Sequence, residues 1–208
     1  MLLLVAGCNS LLGIDDFTLV DAAQGIDAQT TYVVREGLNG YALTQDTYIE
    51  TTADAAHGEE PDLHWTTTGT THLLLRFDDL FGAGGIPIGA TIQTATLQLT
   101  VIEAGSGMGR LYESAVDWTE ATTSSTFGPM PGVTFDDRGT QLDLFDATQL
   151  GTASINVTTS LQRWRANPAN NRGWLLVPAE AALARVGSSE NTIDAQRPTL
   201  TVEIVPAN

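Results

Sequence analysis

Three histidines, His57, His64 and His72, crowd one short stretch of the chain, and clustered histidines raise metal chemistry first. A zinc site needs three or four converging ligands. No H-E-x-x-H motif accompanies these histidines, and the single cysteine, Cys8, lies far away in sequence, so no metal site is expected. Paired carboxylates come next: Asp78 with Asp79, Asp117 with Glu120, and Asp136 with Asp137. Glycoside hydrolysis needs two carboxyl groups about 5–10 Å apart across a sugar, one of them kept protonated, and adjacency along a chain does not supply that. Loop aspartates could hold a structural calcium ion through oxygen ligands, but EF-hand spacing is absent and solvated charge is the simpler reading. No G-x-S-x-G elbow presents a serine. Glu190 and Arg197, flanking the turn NTIDAQ, read as an ion pair that fixes the last turn. Catalytic residues and cofactors are therefore not expected.

The same residues suit recognition better. A sugar ring asks for an aromatic plate against its apolar face and planar donors for its hydroxyls or carboxylates. Trp65 sits beside His64 in the otherwise polar run LHWTTTGTT, which suggests an exposed indole. His72 and Arg76 alternate with leucines, and Arg110 and Tyr112 are two residues apart. His64, Trp65, His72, Arg76, Arg110 and Tyr112 form the candidate binding set. Trp118 and Trp164 read as core, and Trp174 could serve either purpose.

These residues must be positioned by strands. In HLLLRFDDLFGAGGIPIGATIQTATLQLTV, at 72–101, Leu73, Leu75 and Phe77 alternate with His72, Arg76 and Asp78. Ala95, Leu97, Leu99 and Val101 alternate with threonines and Gln98. Each run predicts a strand with one dry and one wet face. Further strands are expected at 46–51, 63–67, 110–116, 173–179, 182–189 and 198–205, with 117–151 loop-heavy. One helix is expected at 158–168, capped by Thr158 and stopped by Pro168. Many short strands with one helix predict an all-β fold, an antiparallel β-sandwich. There is room for one domain, at 45–208.

Aspartate and glutamate number 25 against nine basic residues, giving a net charge of -16. Nucleic acid is excluded as a partner, because phosphate binding needs cations. Adsorption to anionic lipid is excluded for the same reason, which leaves a covalent lipid anchor as the only expected route to a membrane. MLLLVAGCNS supplies one: a short apolar run followed by V-A-G and Cys8 is similar to a bacterial lipobox, with a start expected upstream. Residues 1–7 would be the signal remnant, Cys8 the lipidation site, and 8–44 an acidic, flexible tether. The expected location is the bacterial cell envelope, at the outer membrane or beyond it.

From Asp46 to Val205 the order of motifs resembles the DNRLRE domains, grouped with carbohydrate-binding module family 96 and related to disaggregatase-type domains. DTYIE is similar to the opening strand. LLLRFDDL with IPIGATIQTATLQL is similar to the central hairpin, and VDWTEATTSSTF to the W-x-E segment. INVTTSLQRW, NNRGWLLV and GSSENTIDAQRPTLTVEI follow in the family's order. The chain departs from the pattern at Asn156, Phe127, Trp174 and His72. The resemblance implies a jelly roll that binds polysaccharide, and Arg76 and Arg110 on wet faces would bias it toward an acidic one. A structural or protein-interaction role without a glycan ligand is the competing expectation, and a polysaccharide lyase with a His or Tyr base is the third.

Overall fold

The computed structural model describes residues 29–66, 71–179 and 183–205. The signal remnant, Cys8 and most of the expected tether lie outside these residues. Eleven strands are formed: β1 (Thr30–Val34), β2 (Thr44–Glu50), β3 (Asp62–Thr66), β4 (Thr71–Phe77), β5 (Thr91–Glu103), β6 (Met108–Ser114), β7 (Arg138–Asp146), β8 (Gly151–Asn156), β9 (Trp174–Pro178), β10 (Leu183–Gly187) and β11 (Thr199–Val205). Among the described residues one α-helix, α1 (Thr158–Ala166), joins β8 to β9.

Hydrogen bonding runs in the order β1-β11-β5-β10-β3-β4-β9-β6-β7, with β2 on the other edge of β4 and β8 on β5. The strand pairs are antiparallel. The sheet curls on itself, so that β2, β4, β9, β6 and β7 face β11, β5, β8 and β10 across one core. This is the expected sandwich. Leu73, Leu75, Phe77, Leu97, Leu99, Leu200 and Val202, all expected inside, belong to that core. Helix α1 closes one end, burying Leu161 and Trp164. It is not capped by the Thr158 hydroxyl. That hydroxyl accepts from the Ala95 N–H of β5 at 2.9 Å, and the Asn156 side chain takes the Thr158 N–H at 3.0 Å instead.

Three expectations need correction. Thr30–Val34, expected in the tether, is a strand in register with β11 from Thr30↔Ile204 to Val34↔Leu200. It covers an edge that would otherwise be open, which TTYVV, with its β-branched residues, is suited to do. Second, 117–151 contains β7. Most of its side chains are exposed, with Phe145 its one fully buried residue, so the strand leaves no alternation to read. Third, the outer face of β4 is not wet. Leu74, with Ile49, Leu175 and Val177, is buried beneath Trp118 and Phe127, and Val116 and Val133 pack on the same cluster. The segment between β6 and β7 is therefore a lid over the outer sheet, and β4 is dry on both sides.

Candidate functional site

The lid and the curl of the sheet decide the fate of the six candidates. Trp65 is 0% exposed and packs edge-on against Phe145, ring centroids 5.4 Å apart. Beneath it lies Gly109, where a Cβ would come 2.5 Å from the Trp65 ring. Trp65 is thus a core residue and not a sugar plate: β3 is flanked by β10 and the end of β4, and its odd-numbered side chains turn inward. His72 is buried as well, because the lid covers its face of β4, where it sits in register with Ile49. Arg76 is committed to structure. Its Nε donates to Asp78 Oδ1 at 2.6 Å, its Nη1 donates to the Trp118 carbonyl at 3.1 Å, and its guanidinium lies 5.1 Å from the Trp118 ring centre. It fastens the lid.

His64 keeps a partly exposed position but is engaged by Tyr48, whose ring stacks on it at 4.8 Å and on His57 at 3.9 Å. Burial, with the nearby Arg185 charge second, holds the His64 imidazole below its ordinary pKa. The Tyr48 hydroxyl donates to Glu60 Oε2 at 2.8 Å. Burial first, and then that hydrogen bond, push the phenol above its usual range. A lyase base needs the reverse shift.

Arg110 and Tyr112 lie on the outer face of β6, Arg110 exposed and Tyr112 half-buried, its ring packed against the lid cluster beside Val116 and Val133. The structure adds Arg138 at the start of β7, paired in register with Ser114, with its guanidinium 5.8 Å from the Tyr112 ring centre. Leu144 lies opposite Arg110 and is 45% exposed. All nine basic residues are arginines. Arg76, Arg163, Arg172, Arg185 and Arg197 are in ion pairs; among the described residues Arg35, Arg110, Arg138 and Arg165 are in none, and of these Arg110 and Arg138 flank Tyr112. Arg197 pairs with Asp194 at 3.0 Å, not with Glu190 as expected. A cationic, part-apolar strip thus stands on an acidic protein.

Glu190 is instead part of an acidic group that sequence reasoning missed. Asp46 is 0% exposed; its Oδ2 accepts the Ser189 N–H at 2.8 Å, and the Ser189 hydroxyl bonds Glu190 Oε1 at 2.8 Å. The Asp46 backbone N–H is bonded by the Glu120 carboxyl, which covers the free edge of β2. Burial first, and then the Glu190 charge, raise the pKa of both Asp46 and Glu120. Glu120 also lines a cleft of about 600 Å³ together with Gln45, Gly58, Glu59 and Glu60. The Glu60 carboxyl is opposed by burial but stabilised more by hydrogen bonds from His57 and Tyr48, and lies below its ordinary pKa. The signal was present in the DTYIE, W-x-E and S-x-E motifs, whose acids come from distant parts of the chain and meet only in the fold. Among the described residues no three His, Cys, Asp or Glu side chains are placed to hold a metal ion, and no helix is long and apolar enough to cross a membrane. Comparison with known protein-family models and with curated proteins gave no match.

Proposed function

We propose that this chain is a non-catalytic polysaccharide-binding module of the DNRLRE type, displayed at a bacterial cell envelope through lipid on Cys8. The observation that carries the reading is the Arg110–Tyr112–Arg138 strip. With a net charge of -16, two arginines without an acidic partner flanking one tyrosine form the natural landing place for an anionic chain. A guanidinium matches a carboxylate with two parallel hydrogen bonds, and the tyrosine ring offers a sugar its flat face. The bias is therefore toward acidic polysaccharide. Burial of Trp65 and His72 narrows the earlier set to this strip, with His64 more than one strand away.

The test is a glycan array probed with the soluble domain, with and without calcium, followed by titration of the best binder. Arg110→Ala should weaken binding by about 1.5–3 kcal/mol, as expected for a hydrogen bond to a charged group, without lowering thermal stability. Unchanged affinity in both Arg110→Ala and Tyr112→Ala would refute the placement, and no glycan bound at all would refute the function. Release from the membrane on Cys8→Ser tests the anchor.

A further inference from the structure

The lid is fastened a second time, by the segment between β2 and β3, which runs along it as a strap. Asp54 accepts the Ser125 N–H at 2.9 Å and the Ser125 hydroxyl at 2.7 Å. Gly58 lies so close to Glu120 that a Cβ there would collide with the Glu120 side chain and carbonyl. The strap is braced in turn by His57, which bonds Glu60 at 2.7 Å and stacks on Tyr48. Where strap, lid and β2 meet, the closing side chains are carboxylates. Alternate N–H groups on the free edge of β2 are taken by acids, Thr44 by Glu36 at 3.1 Å and Asp46 by Glu120. Asp46 and Glu190 each give one oxygen to Ser189, and their other oxygens, Asp46 Oδ1 and Glu190 Oε2, are buried with no hydrogen-bond partner. Glu59 and Glu60 line the cleft beside Glu120. Among the described residues no arginine pairs with Glu36, Asp46, Glu59, Glu120 or Glu190; in the adjoining elements Arg76 pairs with Asp78, Arg172 with Asp117 and Arg197 with Asp194.

Carboxylates gathered in this way repel one another once charged, and burial deepens the cost. Burial first, and then the Glu190 charge, hold Glu120 above its ordinary pKa. The seam is therefore tightest while Glu120 is neutral and loosens as pH rises through the raised value. Its members differ in their freedom to move. Asp46 is fixed within β2, and Glu190 in the turn that binds Asp46 through Ser189. Glu120 belongs to the lid and can withdraw with it without breaking a strand pair. We infer that Glu120 is a proton-dependent latch, closed on the β2 edge while neutral and released when charged, so that the lid lifts and bares the apolar outer sheet at Ile49, Leu74, Leu175 and Val177. The latch works whether or not the strip beside the lid binds a glycan.

The experiment is hydrogen exchange of the full chain, read by mass spectrometry at about pH 5 and about pH 8, with labelling times scaled to the intrinsic exchange rates. Each unit by which a folded pKa is raised weakens the closed form about tenfold on ionisation, so lid amides between residues 117 and 133 should lose protection about tenfold at the higher pH. That exchange should depend little on added urea, because lifting the lid exposes little surface, whereas exchange in β5 and β11 should depend on it steeply. Glu120→Gln keeps an oxygen for the Asp46 N–H and cannot charge, so it should hold the lid at its low-pH protection. Asp136→Asn, which removes an exposed lid acid outside the seam, should leave the pH dependence intact. Equal lid protection at both pH values in the unaltered chain overturns the latch, and this comparison needs no variant to fold. Lid and β5 amides that share one urea dependence at about pH 8 overturn it too, since the lid then opens only with the whole fold. A fall that persists in Glu120→Gln overturns the assignment to Glu120.

Discussion

Replacing Trp65 by alanine separates a sugar plate from a core residue. The indole is 0% exposed, lies edge-on to Phe145 and rests on Gly109. A buried aromatic removes about 150–250 Å² from water, which at about 25 cal/mol per Å² is about 4–6 kcal/mol as an upper bound. Alanine retains part of that area. The Trp65 indole N–H is buried with no hydrogen-bond partner, so its removal returns about 1–3 kcal/mol of desolvation. The cavity left behind adds cost, because β3, β6 and β9 are tied into one sheet and cannot collapse into it. The expected net loss is about 3–5 kcal/mol, in line with aromatic-to-alanine changes in cores. At about 2–4 °C per kcal/mol for a domain of this size, the melting temperature should fall by about 6–20 °C. Trp65→Phe keeps most of the ring and drops the unpartnered N–H, so it should cost no more than about 1.5 kcal/mol. Urea and thermal unfolding of the three proteins, read by near-UV circular dichroism, make the comparison. A Trp65→Ala protein that melts within about 2 °C of the parent would refute the packing argument.

Three further perturbations test other parts of the structure. Asp46 and Glu120 have folded pKa values raised above the ordinary 3.8 and 4.5, so they hold protons more tightly folded than unfolded; their stabilisation is complete below those ordinary values and is lost as pH rises through the raised ones. Urea midpoints measured from about pH 4 upward should therefore fall with pH, and Asp46→Asn should flatten that fall; an unchanged slope would count against a raised pKa at Asp46. Gly173 has φ +73 and a Cβ there would meet the Leu75 carbonyl at 2.3 Å, so Gly173→Ala should cost at least about 2 kcal/mol in urea unfolding. Arg76→Ala removes the bonds to Asp78 and Trp118 and should make the lid the first site of limited proteolysis, with cleavage mapped by mass spectrometry between residues 117 and 137; an uncut lid would show that apolar packing alone holds it.

The sandwich was legible because its central strands alternate with period two. Leu97, Leu99, Leu200 and Val202 face the core as their spacing requires. The candidate site was less legible, and for one reason: alternation tells which residues share a face, not what covers it. His72, Arg76 and Leu74 do lie together on one side of β4, but the lid carrying Trp118 and Phe127 folds back over that side. Trp65 has polar neighbours in sequence and apolar ones in space, since Phe145 and Gly109 come from strands more than forty residues away. Arg138 went unread because β7 opens in a stretch of Gly, Pro, Thr and Asp that carries no period. Asp46, Glu120 and Glu190 are each ordinary in sequence and become unusual only where the fold removes them from water.

The pairing of β1 with β11 has a consequence for how the molecule comes into being. Thr30–Val34 is made some 170 residues before its partner, Thr199–Val205, the last of the described strands to appear. β11 also completes the flank of β5 from Thr91 to Gln98, so the sheet cannot close until the chain through Val205 has been made. Contacts spanning some 170 residues make for slow folding. A chain stopped before Thr199 would carry two unpaired strand edges, the kind that recruit neighbours into aggregates. The last of the described strands to arrive is the one that lets the sandwich shut.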